Sequence, residues 1–201
     1  MNDERGARRV GMFGGAFDPP HVAHVALARA ALEQLQLDEL RIFPTGDAWH
    51  KAQKLSPAAH RLAMARIAFA DLPGVVIDDR ELRRPGPTYT IDTLRELKAQ
   101  SPQARLFLIM GEDQAVSLTR WREWQAIPAL ATICMAARSA ASADAPRALP
   151  AQARLTLLRL PEMPESATQV RARVAAGAGI DHLVPPGVAS YIAQHSLYQP
   201  A

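Results

Sequence analysis

Short apolar runs alternate with amphipathic stretches along the chain, and the alternation predicts the elements. Val10, Met12 and Phe13 make a first apolar run that strikes Gly14 and Gly15. Over 22–37, Val25, Ala28, Leu32 and Leu35 fall at three- and four-residue steps, the spacing of an amphipathic helix. Residues 40–44 are short and apolar and read as a second strand. A serine cap, an early proline and the row Leu62, Ala65, Ile67, Phe69 predict a helix over 56–72, and 75–78 reads as the third strand. Helix 88–98 follows, with Ile91, Leu94 and Leu97 on one face. The wholly apolar run 106–110 has the pattern of a strand covered on both faces. A helix through Trp121 and Trp124, strands over 131–136 and 155–160, further helices and a closing helix begun by proline complete the order. Strands alternating with helices predict an α/β fold with a doubly wound, mostly parallel sheet and right-handed crossovers. Such sheets bind ligands at the carboxyl ends of their strands, where the strand order reverses.

With 201 residues, 48% hydrophobic and 21% charged, the chain can bury one substantial core, so a single domain over 1–201 is expected. Residues 1–8 read as a loose polar lead-in, and the alanine, serine and proline tract 139–150 as a mobile surface loop. No apolar run approaches a membrane span, and no apolar signal segment follows the charged start, so a cytoplasmic, membrane-free protein is expected. Cys134 is the only cysteine, which excludes an internal disulfide and a cysteine-built zinc site. A net charge of +3, carried by dispersed arginines, suits a small anionic ligand better than nucleic acid. Homo-oligomers are compatible with this composition.

The candidate chemistry starts at the first strand. Gly14 and Gly15 read as a turn that lets a ligand approach the backbone, and His21 and His24 share one face at the start of the following helix. Unpaired N–H groups and the helix dipole make that end a site for an anion, with the two imidazoles as donors. G-M-F-G-G-A is not G-x-G-x-x-G, and the second strand ends in Phe43-Pro44-Thr45 without a ribose-binding acid, which disfavours a dehydrogenase. Trp49, His50 and Lys51 put two cations on the loop after that strand, and Thr88 reads either as a helix cap or as a ligand contact. Asp113 follows the fourth strand, where an acid is commonly a cap. Ser166, Thr168 and Arg171 cap a helix or, equally well, hold a triphosphate tail. The acids form no cluster for an all-protein metal cage.

Gly14, Gly15, Phe17, Asp18, Pro19, His21 and His24 occupy every fixed position of G-G-x-F-D-P-x-H-x-x-H, so the chain resembles the nucleotidyltransferases that carry an H-x-G-H element; Ala23 stands where those usually have glycine. The segment D-R-E-L-R-R-P-G-P-T-Y-T-I-D-T, the G-E-D after the fourth strand, E-S-A-T-Q-V-R and the closing S-Y-I-A-Q-H-S-L-Y extend the likeness to bacterial nicotinate-nucleotide adenylyltransferases over nearly the whole chain. That resemblance implies a Rossmann-like nucleotidyltransferase fold and transfer of AMP from ATP to nicotinate mononucleotide, giving deamido-NAD and pyrophosphate. It implies an ATP site of Gly14, Gly15, Phe17, His21, His24, Gly111, Asp113, Ser166, Thr168 and Arg171, with His21, His24 and Arg171 acting in catalysis. It implies an acceptor site of Thr45, His50, Lys51, Thr88, Tyr89, Thr90, Trp121 and Arg138, with Trp121 stacked on the pyridine ring. Mg²⁺ would ride on the ATP phosphates. Three rivals stay in view: transfer to nicotinamide mononucleotide or phosphopantetheine, a class I aminoacyl-tRNA synthetase fragment, disfavoured by the short chain and missing K-M-S-K-S, and a non-catalytic nucleotide-binding regulator.

Overall fold

Alternate residues of each apolar run face opposite ways, and the core divides accordingly. Phe13, Ile42, Phe107, Ile109 and Cys134 join one cluster; Val10, Met12, Phe43, Leu106, Leu108, Met110, Ile133 and Met135 join the other. A computed structural model describes residues 6–46, 55–137 and 153–200. Its elements are β1 (Arg9–Gly15), α1 (Val22–Gln34), β2 (Glu39–Pro44), α2 (Ala58–Ala68), β3 (Val75–Ile77), α3 (Arg80–Arg83), α4 (Thr90–Gln100), β4 (Arg105–Met110), α5 (Glu112–Ser117), α6 (Ile127–Leu130), β5 (Ala131–Ala137), β6 (Leu155–Arg159), α7 (Ala167–Ala175) and α8 (Pro186–Gln194). The six strands form one parallel sheet in the order β3-β2-β1-β4-β5-β6. Helices α1, α2, α7 and α8 cover one face, and α4, α5 and α6 the other. Each fully buried large apolar side chain, such as Ile42 or Leu94, contributes about 1.5–3 kcal/mol to holding these layers together. The order reverses between β1 and β4, so the expected crevice opens beyond Gly15 and Met110.

The structure departs from the periodicity in four places. Ser56 is not the cap of α2; that position is Pro57, and the Ser56 N–H donates instead to Asp18. α4 starts at Thr90 with Tyr89 as its cap, two residues later than the apolar row suggests. The helix expected through Trp121 and Trp124 gives way after Ser117 to two single 3₁₀ turns, separated by an extended Trp121 (ψ 148°) and a left-handed Glu123 (φ 49°). The short helix α3 carries no apolar period and escapes a periodicity reading.

α3 is held by ion pairs. Arg80 bridges Asp78 (2.7 Å) and Glu96 (3.4 Å), Arg84 also reaches Glu96 (2.6 Å), and Arg41 joins Asp78 to Glu39. Burial alone would raise the Asp78 pKa, but the hydrogen bonds and charge of Arg80 outweigh it and hold the carboxylate below its ordinary value. Glu81 is buried, which raises its pKa, and it accepts a 2.7 Å hydrogen bond from Thr93 Oγ1. The R-E-L-R-R stretch thus fixes α3 against α4 and frames the turn between them.

Candidate active site

Gly14 and Gly15 are the last residues of β1 and not a turn; the chain turns at Phe17, whose φ is 48°. A Cβ on Gly14 would meet no atom within 4 Å, because that side of the strand end is open. The Phe17 ring is 1% exposed, edge-on to Phe13 (5.5 Å) and Phe69 (5.7 Å), with the His24 ring 5.1 Å away. Phe17 therefore braces the turn, and its ring offers a ligand almost no surface. His21 caps α1, and its backbone N–H donates to His24 Nδ1 at 3.2 Å. Accepting at Nδ1 puts the proton of a neutral His24 on Nε2. The two imidazoles lie 3.8 Å apart. Burial pushes the His21 pKa down to about 4, so at neutral pH His21 is an uncharged donor, and its buried Nδ1 has no hydrogen-bond partner among the described residues.

A cavity of about 620 Å³ opens between the ends of β1 and β4. All ten residues expected to bind ATP line it: Gly14, Gly15, Phe17, His21 and His24 on one side, Gly111 and Asp113 after β4, and Ser166, Thr168 and Arg171 from α7. The capping reading of the last group holds for Ser166, and the same three residues also face the cavity. Ser166 Oγ caps α7 by accepting from the Gln169 N–H at 3.2 Å, while Arg171 donates to the Asp18 carbonyl at 2.7 Å and to Thr168 Oγ1 at 3.2 Å.

Sequence reasoning left Asp18, Arg61 and Tyr198 without a role; Asp18 is part of the cavity lining, and Arg61 and Tyr198 support the turn it stands in from outside the lining. Asp18, 5% exposed, accepts from the Ser56 N–H (2.9 Å) and from the Tyr198 hydroxyl (2.6 Å). Buried Arg61 donates to the carbonyls of Ala16 and Ser56, each at 3.0 Å. Asp18 stood in the F-D-P motif and carried a signal; Arg61 and Tyr198 reach the site from distant segments and carried none that was local. Glu165 Oε2 is also buried in the wall without a partner among the described residues. Glu165 and Asp113 put carboxylate oxygens of the kind Mg²⁺ would accept on the cavity wall, and among the described residues no three acidic, histidine or cysteine side chains cluster to hold a metal.

Of the residues expected at the acceptor site, the described ones (Thr45, Thr88, Tyr89, Thr90 and Trp121) are not in the lining of this cavity. The Thr45 N–H donates to the Gly15 carbonyl at 2.8 Å, placing Thr45 next to the end of β1. Gly46 packs so tightly on the next turn that a Cβ there would lie 2.1 Å from the Glu81 carbonyl oxygen and 2.9 Å from Thr88 Cγ2. Thr88 is buried, is not the cap of α4, and its hydroxyl has no partner among the described residues. Tyr89 and half-buried Trp121 pack on the same core cluster, and the Arg122 guanidinium sits 4.7 Å from the Tyr89 ring centre. Trp49, His50, Lys51 and Arg138, and the tract 139–150, lie outside the described residues.

The comparisons with known proteins can be set beside this geometry. A family model described as cytidylyltransferase-like matches residues 12–173. A protein of Albidiferax ferrireducens, named as a probable nicotinate-nucleotide adenylyltransferase, is 56% identical over 197 residues, covering 96% of this chain and 100% of its own. A protein of the same name from Bordetella petrii is 43% identical over the same shares. The Plasmodium falciparum nicotinic acid mononucleotide adenylyltransferase complexed with NaAD has the same fold, with a TM-score of 0.76 at 18% identity over 95% of this chain and 97% of its own. No described helix is long and apolar enough to cross a membrane. On sequence alone the likeness is nearly end to end, and the chain belongs to the nicotinate-nucleotide adenylyltransferase family.

Proposed function

We propose that this chain transfers AMP from ATP to the phosphate of nicotinate mononucleotide, releasing pyrophosphate and forming deamido-NAD for NAD synthesis in the cytoplasm. One observation carries the reading: ten residues from three distant stretches, 14–24, 111–113 and 166–171, converge on one cavity at the switch point of the sheet. A phosphate monoester is already an anion at neutral pH, so the attacking oxygen needs no general base. What the reaction needs is alignment and charge stabilisation. The Nε2–H of His24, neutral His21 and the N-terminus of α1 serve the α-phosphoryl group as it passes between oxygens. Arg171, steadied by Thr168 and the Asp18 carbonyl, serves the departing pyrophosphate with a permanent charge. A Mg²⁺ carried by the ATP phosphates would offset part of their charge, and Asp113 and Glu165 on the wall are the residues that would hold it there. The names borne by the relatives at 56% and 43% identity support the pyridine nucleotide as acceptor, and the buried, unpartnered Thr88 hydroxyl beside Tyr89 and Trp121 supports a polar group bound there.

Pyrophosphate release from ATP, followed with nicotinate mononucleotide, nicotinamide mononucleotide or phosphopantetheine as acceptor, tests this. Nicotinate mononucleotide is expected to give the highest kcat/KM. Preference for the amide would overturn the acceptor, and no turnover with any of the three would favour a nucleotide-binding regulator.

A further inference from the structure

The C-terminal segment returns to the active site. Tyr198 follows α8 and sits 180 positions from Asp18 in sequence, yet its hydroxyl donates to Asp18 Oδ1 at 2.6 Å. The second oxygen of that carboxylate takes the Ser56 N–H, and the Asp18 backbone carbonyl takes Arg171. Asp18 is therefore the point at which the phosphate turn, the start of the α2 segment, α7 and the chain's end are tied together. It lies three residues before His21. We propose that Tyr198 is a positioning residue for the transfer step, acting through Asp18 to hold the 16–18 turn, and with it His21 and Arg171, in register with the α-phosphoryl group.

Chemistry supports the direction of this bond. Burial, reinforced by the neighbouring carboxylate, keeps the Tyr198 phenol far above the ordinary tyrosine pKa, so it stays a donor throughout the working range. Asp18 is only 5% exposed, so losing this donor leaves a buried carboxylate oxygen short of a partner. Tyr198 is not itself among the residues that line the cavity, and its hydroxyl bonds Asp18, which is; that separates a positioning role from direct contact with substrate.

The inference rests on the adenylyl transfer proposed above, and the test keeps the two apart. Turnover by the unaltered chain is measured first; its absence with every acceptor refutes that reading. Tyr198→Phe then removes one hydroxyl. Loss of a hydrogen bond to a buried charge predicts a kcat roughly tenfold lower, with KM for both substrates within about twofold. Tyr191→Phe is the control, since it removes the phenol bonded to His60 (3.0 Å) on the same C-terminal unit but away from the cavity. It is expected to keep full kcat. A Tyr198→Phe enzyme with unchanged kcat, a change confined to KM, or an equal loss in both variants would overturn the proposal. The imidazole NMR resonances of His21 and His24 report the same coupling without turnover: they are expected to move in Tyr198→Phe alone, and unmoved resonances would count against it.

Discussion

Two glycines at the ends of neighbouring strands should respond to the same substitution in opposite ways. In Gly46→Ala the new methyl would lie 2.1 Å from the Glu81 carbonyl oxygen, far inside any real contact. The oxygen cannot retreat, because α3 is tied to α4 through Arg80, Arg84, Glu96 and the Glu81–Thr93 bond. Overpacking against backbone belongs at the upper end of the usual range, about 3 kcal/mol, and for a chain of this size that lowers Tm by roughly 6–12 °C. The displaced turn carries Thr88, so KM for the pyridine nucleotide should rise while KM for ATP stays put. Gly14→Ala meets nothing within 4 Å and leaves the strand intact, but its methyl projects from the lining of the 620 Å³ cavity. Its Tm should match the unaltered chain while KM for ATP rises. Thermal unfolding followed by circular dichroism, with steady-state kinetics in each substrate, reads both. A Gly46→Ala protein that melts with the parent, or a Gly14→Ala protein with a raised acceptor KM alone, would refute this division of the site.

His24→Ala removes a preorganised donor and is expected to lower kcat by roughly 10²–10³-fold with an unchanged melting curve; full activity would remove His24 from the chemistry. Folded His21 resists protonation down to about pH 4, whereas the unfolded side chain takes its proton near 6.5, so stability should drain away as pH falls through that interval, by about 3 kcal/mol at pH 4. Urea titrations from pH 7.5 to 4 should show the slope flattened in His21→Asn relative to the parent, and parallel profiles would disprove the burial effect. Burial pushes the Cys134 thiol up to about 12, so an aromatic disulfide reagent should label it only on unfolding; stoichiometric labelling of the folded chain would contradict its place under the sheet.

What was legible in the sequence follows from how local each signal is. Phe13, Phe107 and Ile109 alternate with Met12, Leu106 and Leu108, and the alternation alone declares a sheet with two covered faces. Gly14 to His24 and Ser166 to Arg171 are short stretches whose members line the same cavity, so spacing preserves their geometry. The Tyr198–Asp18 and Arg61–Ala16 bonds were illegible because nothing near Tyr198 or Arg61 in the chain states where each side chain ends. The Phe17 turn was hidden for another reason: adjacent glycines advertise positive φ, and here a phenylalanine adopts it, held by Phe13 and Phe69. Trp121 and Trp124 suggested one helix by spacing, and an extended Trp121 and a left-handed Glu123 divide it. The separation of acceptor residues from the ATP cavity depended on which way each turn leaves the sheet, which composition does not encode.

In chain order β1 precedes every other strand of the sheet, and two of the groups that brace its outgoing turn come far behind it. Arg171 and Tyr198 meet Asp18 across 153 and 180 positions of chain. Contacts of such separation close late, so during synthesis the sheet can assemble while its catalytic rim still lacks two of its moorings. Cleavage just past α8 would then leave the sheet folded with a slack rim, so the segment around Tyr198 bears on the chemistry in a way that residues before Arg9 do not.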